Sequence, residues 1–484
     1  MTSFGATGRA LTGLPSNAVW AVIGGGLLGL VATYWDDGWH TEIGRDDALL
    51  PPHLLLYASI GMVGLVLAGW VLVGLWRTRS LRATLAIPGL ALAVAAGVVT
   101  AGAAPADAAW HAAFGRDSVL WSPPHLLSVI GTAVLVVAVL LNTGHMGSRV
   151  SRIALAVVLL GATEIVVVEY ETDVPQFSQA LYLPVLLAVG LGSSGIIRAL
   201  VVDRAVVTPT VLSYLVFRLL ILAPFAITGW TTPDVPIALL GLLVLDAPAR
   251  WDRARWPAAG LAVAALQLVA SASGVSSVPV RPTLLASVIV VPLLAATLFA
   301  VSRRPLARAG AVLGLLAATS LLVMPHARAH DPGQGTAVAT AQVSADGDGS
   351  GTIAVRITEF EGTAGREWTP GRLVARRAGE VVTAPLVDRS GVFAGKIVLP
   401  SRGLWFIYAE LWAGNTVAET WLPVRRDEAS RIAARRSVYL PAGTGDRPAG
   451  EYLAGAGLLA LGTALIGWAV IAVRRRQAVV HQVL

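Results

Sequence analysis

The chain has 484 residues, 55% hydrophobic and only 13% charged, with a mean hydropathy of +0.69. That balance excludes an ordinary soluble domain and is the composition of a membrane protein. The formal charge of +7 does not imply nucleic acid, because the basic residues sit in short clusters between apolar runs, and the absence of cysteine excludes disulfides, zinc ribbons, iron–sulfur clusters and thiolate copper sites.

Apolar runs long enough, or nearly so, to cross a bilayer lie at about 18–35, 53–76, 86–104, 125–142, 153–169, 180–201, 208–230, 236–249, 257–274, 283–301, 309–325 and 452–473. A spanning helix needs roughly 20 residues, so 236–249 reads as a half-span or a tilted segment. Arginines test the count. Arg77, Arg79 and Arg82 follow the second run, Arg149 and Arg152 the fourth, and Arg198 and Arg204 end the sixth. Arg250, Arg253 and Arg255 follow the eighth, Arg303, Arg304 and Arg308 the tenth, and Arg474, Arg475 and Arg476 the last. All fall on one side if every run crosses. The expectation is a polytopic α-helical protein of a bacterial plasma membrane, with twelve spans preferred over ten or eleven and both termini cytoplasmic. The first run can insert uncleaved, so no signal peptide is required.

The pattern changes after Met324. Alternating stretches at Thr352–Ile357, Val392–Leu399, Leu404–Leu411 and Thr416–Val424 read as strands, with a turn at Asp346-Gly347-Asp348-Gly349. About seven short strands predict an extracytoplasmic β-sandwich over 326–425. An Arg- and Gly-rich connector, 426–450, leads to a last helix and cytoplasmic tail, 451–484. Before the β domain, 1–150 reads as duplicated hairpins and 151–325 as a helical scaffold.

The duplication carries the chemistry. Asp36-Asp37-Gly38-Trp39-His40, then Gly44-Arg45-Asp46, then Pro51-Pro52-His53, recurs as Asp107-Ala108-Ala109-Trp110-His111, Gly115-Arg116-Asp117 and Pro123-Pro124-His125. Four of the eight histidines lie here. Asp and His four apart share one helix face, and Pro-Pro suits the first turn of the next helix, placing His53 and His125 at its start. Two imidazoles and a carboxylate suit copper(II), iron(II) or zinc(II). The plainer alternative is a polar loop at the headgroups. A two-haem arrangement does not fit, because Glu42, Arg45, Asp46, Asp47 and two prolines separate the first two histidines.

Around these ligands, Asp46 and Asp117 are candidates to orient an imidazole, or Arg45, Asp46, Arg116 and Asp117 are structural, each pairing across its hairpin or capping a short helix. Trp39 and Trp110 serve as interfacial anchors or pack over the metal. Arg218 and Asp246 are charges within apolar runs, read either as functional or as a mutual pair stabilising the bundle. Glu164, Glu169, Glu171 and Asp173 complete a metal site, line a proton path or face water; Glu169 to Asp173 also reads as a third, degenerate copy of the motif. Met324, His326 and His330 form a candidate auxiliary copper site. The same segment mimics a cleavage site after Ala329, which would leave His330 amino-terminal.

Asp-x3-His-x12-His followed by Asp-x3-His-x13-His resembles the metal-binding helices of the C subunit of particulate methane and ammonia monooxygenases, over about residues 18–142. The resemblance implies copper ligation by Asp36, His40 and His53, and by Asp107, His111 and His125, with Asp107 where that family has Asn. Trp39, Arg45 and Asp46 also match. It implies oxidation of a small apolar substrate by O2. The family's A subunit and the His-x-His ligands of its B subunit have no counterpart in the chain. A copper uptake, delivery or assembly protein is the alternative, and a scaffold with incidental histidines a third. Expected partners are the lipid bilayer and either partner membrane subunits or further copies of the chain, with no nucleic acid.

Overall fold

The computed structural model describes residues 13–43, 49–87, 89–114, 120–143, 147–173, 178–201, 203, 205–248, 254–300, 334–362, 367–377, 380–441, 453–462 and 464–469. Eight helices among them are long and apolar enough to cross a membrane. We label the long helices α1 (Ser16–Glu42), α2 (Pro51–Thr78), α3 (Leu90–Phe114), α4 (Pro123–Thr143), α5 (Arg149–Glu164), α6 (Tyr182–Leu200), α7 (Val207–Thr228), α8 (Arg255–Ser273) and α9 (Val280–Ala300). Helix α5 continues through a 3₁₀ turn, Ile165–Val167, into a last helical turn, Val168–Glu171. Ile237–Asp246, Val280–Leu294 and Leu453–Ala469 are shorter apolar helices, and the run at 309–325 lies outside the described residues.

The α5 and α6 segments form the centre: 78% of each apolar window is buried, against 22% for α2. Small residues bring α1 against α5. A Cβ on Gly26 would meet Val158 at 2.4 Å, and one on Gly161 would meet Leu30 at 2.6 Å. The segment read as a half-span is a ten-residue 3₁₀ helix, Ile237–Asp246. Before its start, Asp234 N donates to Glu171 O (2.8 Å), while at its end Asp246 accepts from Arg198 Nη1 (3.0 Å) and Thr208 N (2.7 Å). It therefore runs between opposite ends of its neighbours. The 3₁₀ rise of about 2 Å per residue, against 1.5 Å for an α-helix, lets so few residues reach that far.

Gln334–Pro441 forms a closed eight-stranded antiparallel barrel in the order β1-β2-β5-β4-β3-β6-β7-β8, not the expected sandwich. The strands are β1 (Gln334–Asp348), β2 (Thr352–Gly362), β3 (Thr369–Arg377), β4 (Glu380–Arg389), β5 (Val392–Val398), β6 (Leu404–Ala413), β7 (Thr416–Arg425) and β8 (Ala429–Pro441). The closing strand β8 comes from residues expected to be connector; it pairs along β1 from Asp348 opposite Ala429 to Gln334 opposite Pro441, which removes the free edges a sandwich keeps. Trp405, Ile407 and Leu422 fill the interior, and Leu404, Phe406, Tyr408 and Trp421 form a second buried cluster on the opposite face of the same strands. That second face meets the helices. Asp173, just beyond α5 and in a left-handed conformation, accepts from Leu404 N (2.7 Å) and pairs with Arg377 and Arg425. Arg436 donates to Ile43 O (2.9 Å) at the end of α1. The barrel and the first Asp-His motif thus share one end of the bundle.

Candidate metal centre

Helix α1 supplies Asp36 and His40 one turn apart. Helix α2 begins with Pro51 and Pro52 in its first turn, as expected, which sets His53 against them. Asp36 Oδ1 lies 3.0 Å from His53 Nε2 and 3.5 Å from His40 Nε2. The imidazole centroids are 5.9 Å apart, and one donor atom from each of the three residues falls within 4.8 Å of the others. Two neutral imidazoles and a carboxylate at this separation suit a divalent transition metal with coordination positions to spare. His40 Nδ1 is buried without a hydrogen-bond partner among the described residues, where packing and the Asp36 side orient the imidazole.

The end of α1 is fastened from the far side of the helix. Glu42 Oε1 accepts from Thr231 N (2.8 Å) and Thr231 Oγ1 (2.6 Å). Trp39 packs edge-on to Trp230, which stacks on Phe225. Gly38 faces the same two rings, and a Cβ there would sit in ordinary contact with Phe225 and Trp230 at 3.4 Å. Trp39 therefore packs into the helix end beside the cluster.

In the second copy, Asp107 Oδ1 lies 3.2 Å from His125 Nε2, with His125 again following two prolines at the start of a helix. The His111 side chain lies outside the described residues, as do Arg45, Asp46, Arg116, Asp117, Met324, His326 and His330. The second loop is tied to α5: Leu120 N donates to Glu169 Oε1 (2.7 Å) and Trp121 Nε1 to Val166 O (3.0 Å). Trp110 is buried. His125 lies close enough to Asp36 for their charges to interact, so the two copies are neighbours.

Arg218 and Asp246 do not pair. Asp246 binds Arg198 and the amide at the start of α7, because it sits at the opposite end of the bundle. Arg218, fully buried, donates to the Tyr34 hydroxyl through Nη1 and to Glu171 Oε2 (2.5 Å) and Asp234 O (2.9 Å) through Nη2, with its guanidinium 4.1 Å from the centroid of the Tyr34 ring. Tyr34 and Tyr214 hydroxyls are 3.1 Å apart, and Tyr182 donates to Glu171 Oε1 at 3.2 Å. Glu164, Glu169, Glu171 and Asp173 are all buried, which removes the reading that they face water. The motif spacing by itself assigns no role to Tyr34, Asp37, Glu42 or Tyr214. The signal for the first three was available: the copy at 107–125 replaces them with Pro105, Ala108 and Ala113.

No known protein family, curated protein or solved structure matches the chain.

Proposed function

We propose that the chain is a plasma-membrane protein that binds copper at the outer ends of its first two hairpins and uses it with O2 to oxidise a small apolar substrate. The convergence of Asp36, His40 and His53 carries the metal reading. The duplicated spacing and its resemblance to the monooxygenase C subunit supply copper and the oxidation. A bound copper would polarise and activate O2, while the protein holds its two imidazoles and carboxylate in place. The arginine distribution supports the orientation, and the helix lengths support the span. Asp107 and His125, with His111, would form a second site.

Metal analysis of the purified chain tests the reading. Copper retained by the wild type, with His53→Ala removing one site and His125→Ala the other, supports two sites. A protein that holds no copper after reconstitution overturns it. Copper-dependent O2 uptake with an apolar substrate then tests the oxygenase part.

Copper uptake or delivery is the second reading. Asp37, Glu171 and Glu164 favour it, since they are carboxylates reaching inward from the cluster. Copper accumulation in vesicles without O2 consumption would select it.

A further inference from the structure

Glu164 is fully buried in the centre of the helix bundle, and neither of its carboxylate oxygens has a hydrogen-bond partner among the described residues. Its position follows from Gly161, three residues earlier and on the same face of α5. A Cβ on Gly161 would meet Leu30 of α1 at 2.6 Å and Tyr214 of α7 at 3.3 Å. Glu164 therefore belongs to the face of α5 that looks into the α1–α7 seam. One turn on from those two contacts stand Tyr34 and Arg218. The α-helix gives way to a 3₁₀ turn, Ile165–Val167, directly after Glu164. Interrupted helices of this kind recur where a bundle binds an ion or a proton.

The charge balance narrows the ligand. Arg218 is the cation of this seam, and Glu171 at 2.5 Å already neutralises it. Nη1 donates to Tyr34 and Nη2 to Glu171 and Asp234 O, while Nε has no partner among the described residues. An ionised Glu164 would add an uncompensated negative charge to a region that water does not reach. The titratable and charged groups around it are Glu171 from its own segment, Tyr34 from α1, Tyr182 from α6, and Tyr214 and Arg218 from α7. Only Arg218 among these is cationic.

We propose that Glu164 is a proton-binding site inside the helix bundle, its carboxylate taking up one proton to become a neutral acid beside the Tyr34–Tyr214 hydroxyl pair. No electron moves, and the proton comes from and returns to water. Because Tyr34 lies on the helix that carries Asp36 and His40, the site is placed to exchange protons with the end of the bundle that holds the Asp-His cluster. The proposal does not depend on which metal that cluster takes.

Infrared spectroscopy of the full chain in lipid discs, without added metal, tests it. The protonated-carboxyl C=O band is expected at neutral pH, to move on transfer to D2O, and to lose a component in Glu164→Gln. Glu164→Asp should restore that component at a shifted position. A wild type lacking the band, a Glu164→Gln spectrum identical to wild type, or a band seen only after sodium or potassium is removed would each overturn the proposal; the last would make the ligand a metal cation. Isotopically labelled glutamate in the wild type needs no substitution, and no label-sensitive band there also overturns it.

Discussion

In the first copy of the motif, Asp36 has imidazoles at 3.0 and 3.5 Å, and both histidine side chains are nearly buried, at 13% and 14% exposure. In the second, Asp107 has His125 at 3.2 Å, and that imidazole is 33% exposed. The two aspartates are equally exposed, at 23%. The ligand spacing is duplicated, but the surroundings are not. Tyr34 leads from the first copy to Arg218, and Glu42 clamps its helix to Thr231; the equivalent positions are Pro105 and Ala113. Asp37, within electrostatic reach of Glu171 and Arg218, corresponds to Ala108. One duplicated unit has been wired into a buried polar core, while the other is tied to α5 through Leu120 and Trp121. The same donor residues therefore stand in different electrostatic surroundings.

The largest test of this difference is Arg218→Leu. It strands Glu171 beside Glu164 and should cost about 3–5 kcal/mol of stability, read as a fall in thermal unfolding temperature in detergent. Arg218→Leu with Glu171→Leu should recover much of the loss. If the single variant instead leaves unfolding unchanged, the polar core does not hold the first copy.

Next come the ligands. His53→Ala and His125→Ala should each weaken their own site by on the order of 100-fold or more, above the 10–100-fold typical of outer-shell partners, measured by competition with a copper chelator. A loss of both metals from either variant would mean one shared site and would erase the comparison.

A pH effect of about 2–3 kcal/mol should belong to the first copy's side. Burial pushes Asp234 from 3.8 up to about 6, with two donors from Ser277 opposing and Asp173 adding to the rise. A raised carboxyl binds its proton more tightly in the folded state. Its contribution to stability is therefore full below about 3.8 and lost as pH climbs through about 6. Asp234→Asn should flatten unfolding free energy across that window; an unchanged slope would assign it elsewhere. The smallest effect is Glu42→Ala, which removes two hydrogen bonds at the end of α1 and should cost about 1 kcal/mol. It should lower hydrogen-exchange protection at Thr231 and leave the second copy untouched.

Much of this architecture was legible from residue patterns. Apolar runs located the long helices, Pro-Pro marked the starts of α2 and α4, and period-two alternation found β2, β5, β6 and β7. The convergence of Asp36, His40 and His53 was legible because Asp36 and His40 share a helix face and the hairpin is short. Other features were not. Arg218 and Asp246 both read as charges in apolar runs, and linear order does not say that one ends beside Tyr34 and the other beside Arg198. The barrel's closing strand was hidden in an Arg-rich segment, because β8 alternates arginine with small residues in place of a strong apolar pattern.

By itself, then, the sequence determined the local matters: which stretches are helical, where two histidines meet Asp36 and where His125 meets Asp107, and that the chain carries a separate β domain. Helix periodicity, proline geometry and short connections act over a few residues and leave their mark in the order of the chain. Only the tertiary structure decided which copy joins the buried core, where Arg218 finds its carboxylate, and how Asp173 fastens the barrel. Those outcomes depend on contacts between residues about 50 to 230 positions apart, such as Arg218 with Glu171 and Leu404 with Asp173. They are fixed by which polar groups must find partners once helix packing has removed them from water.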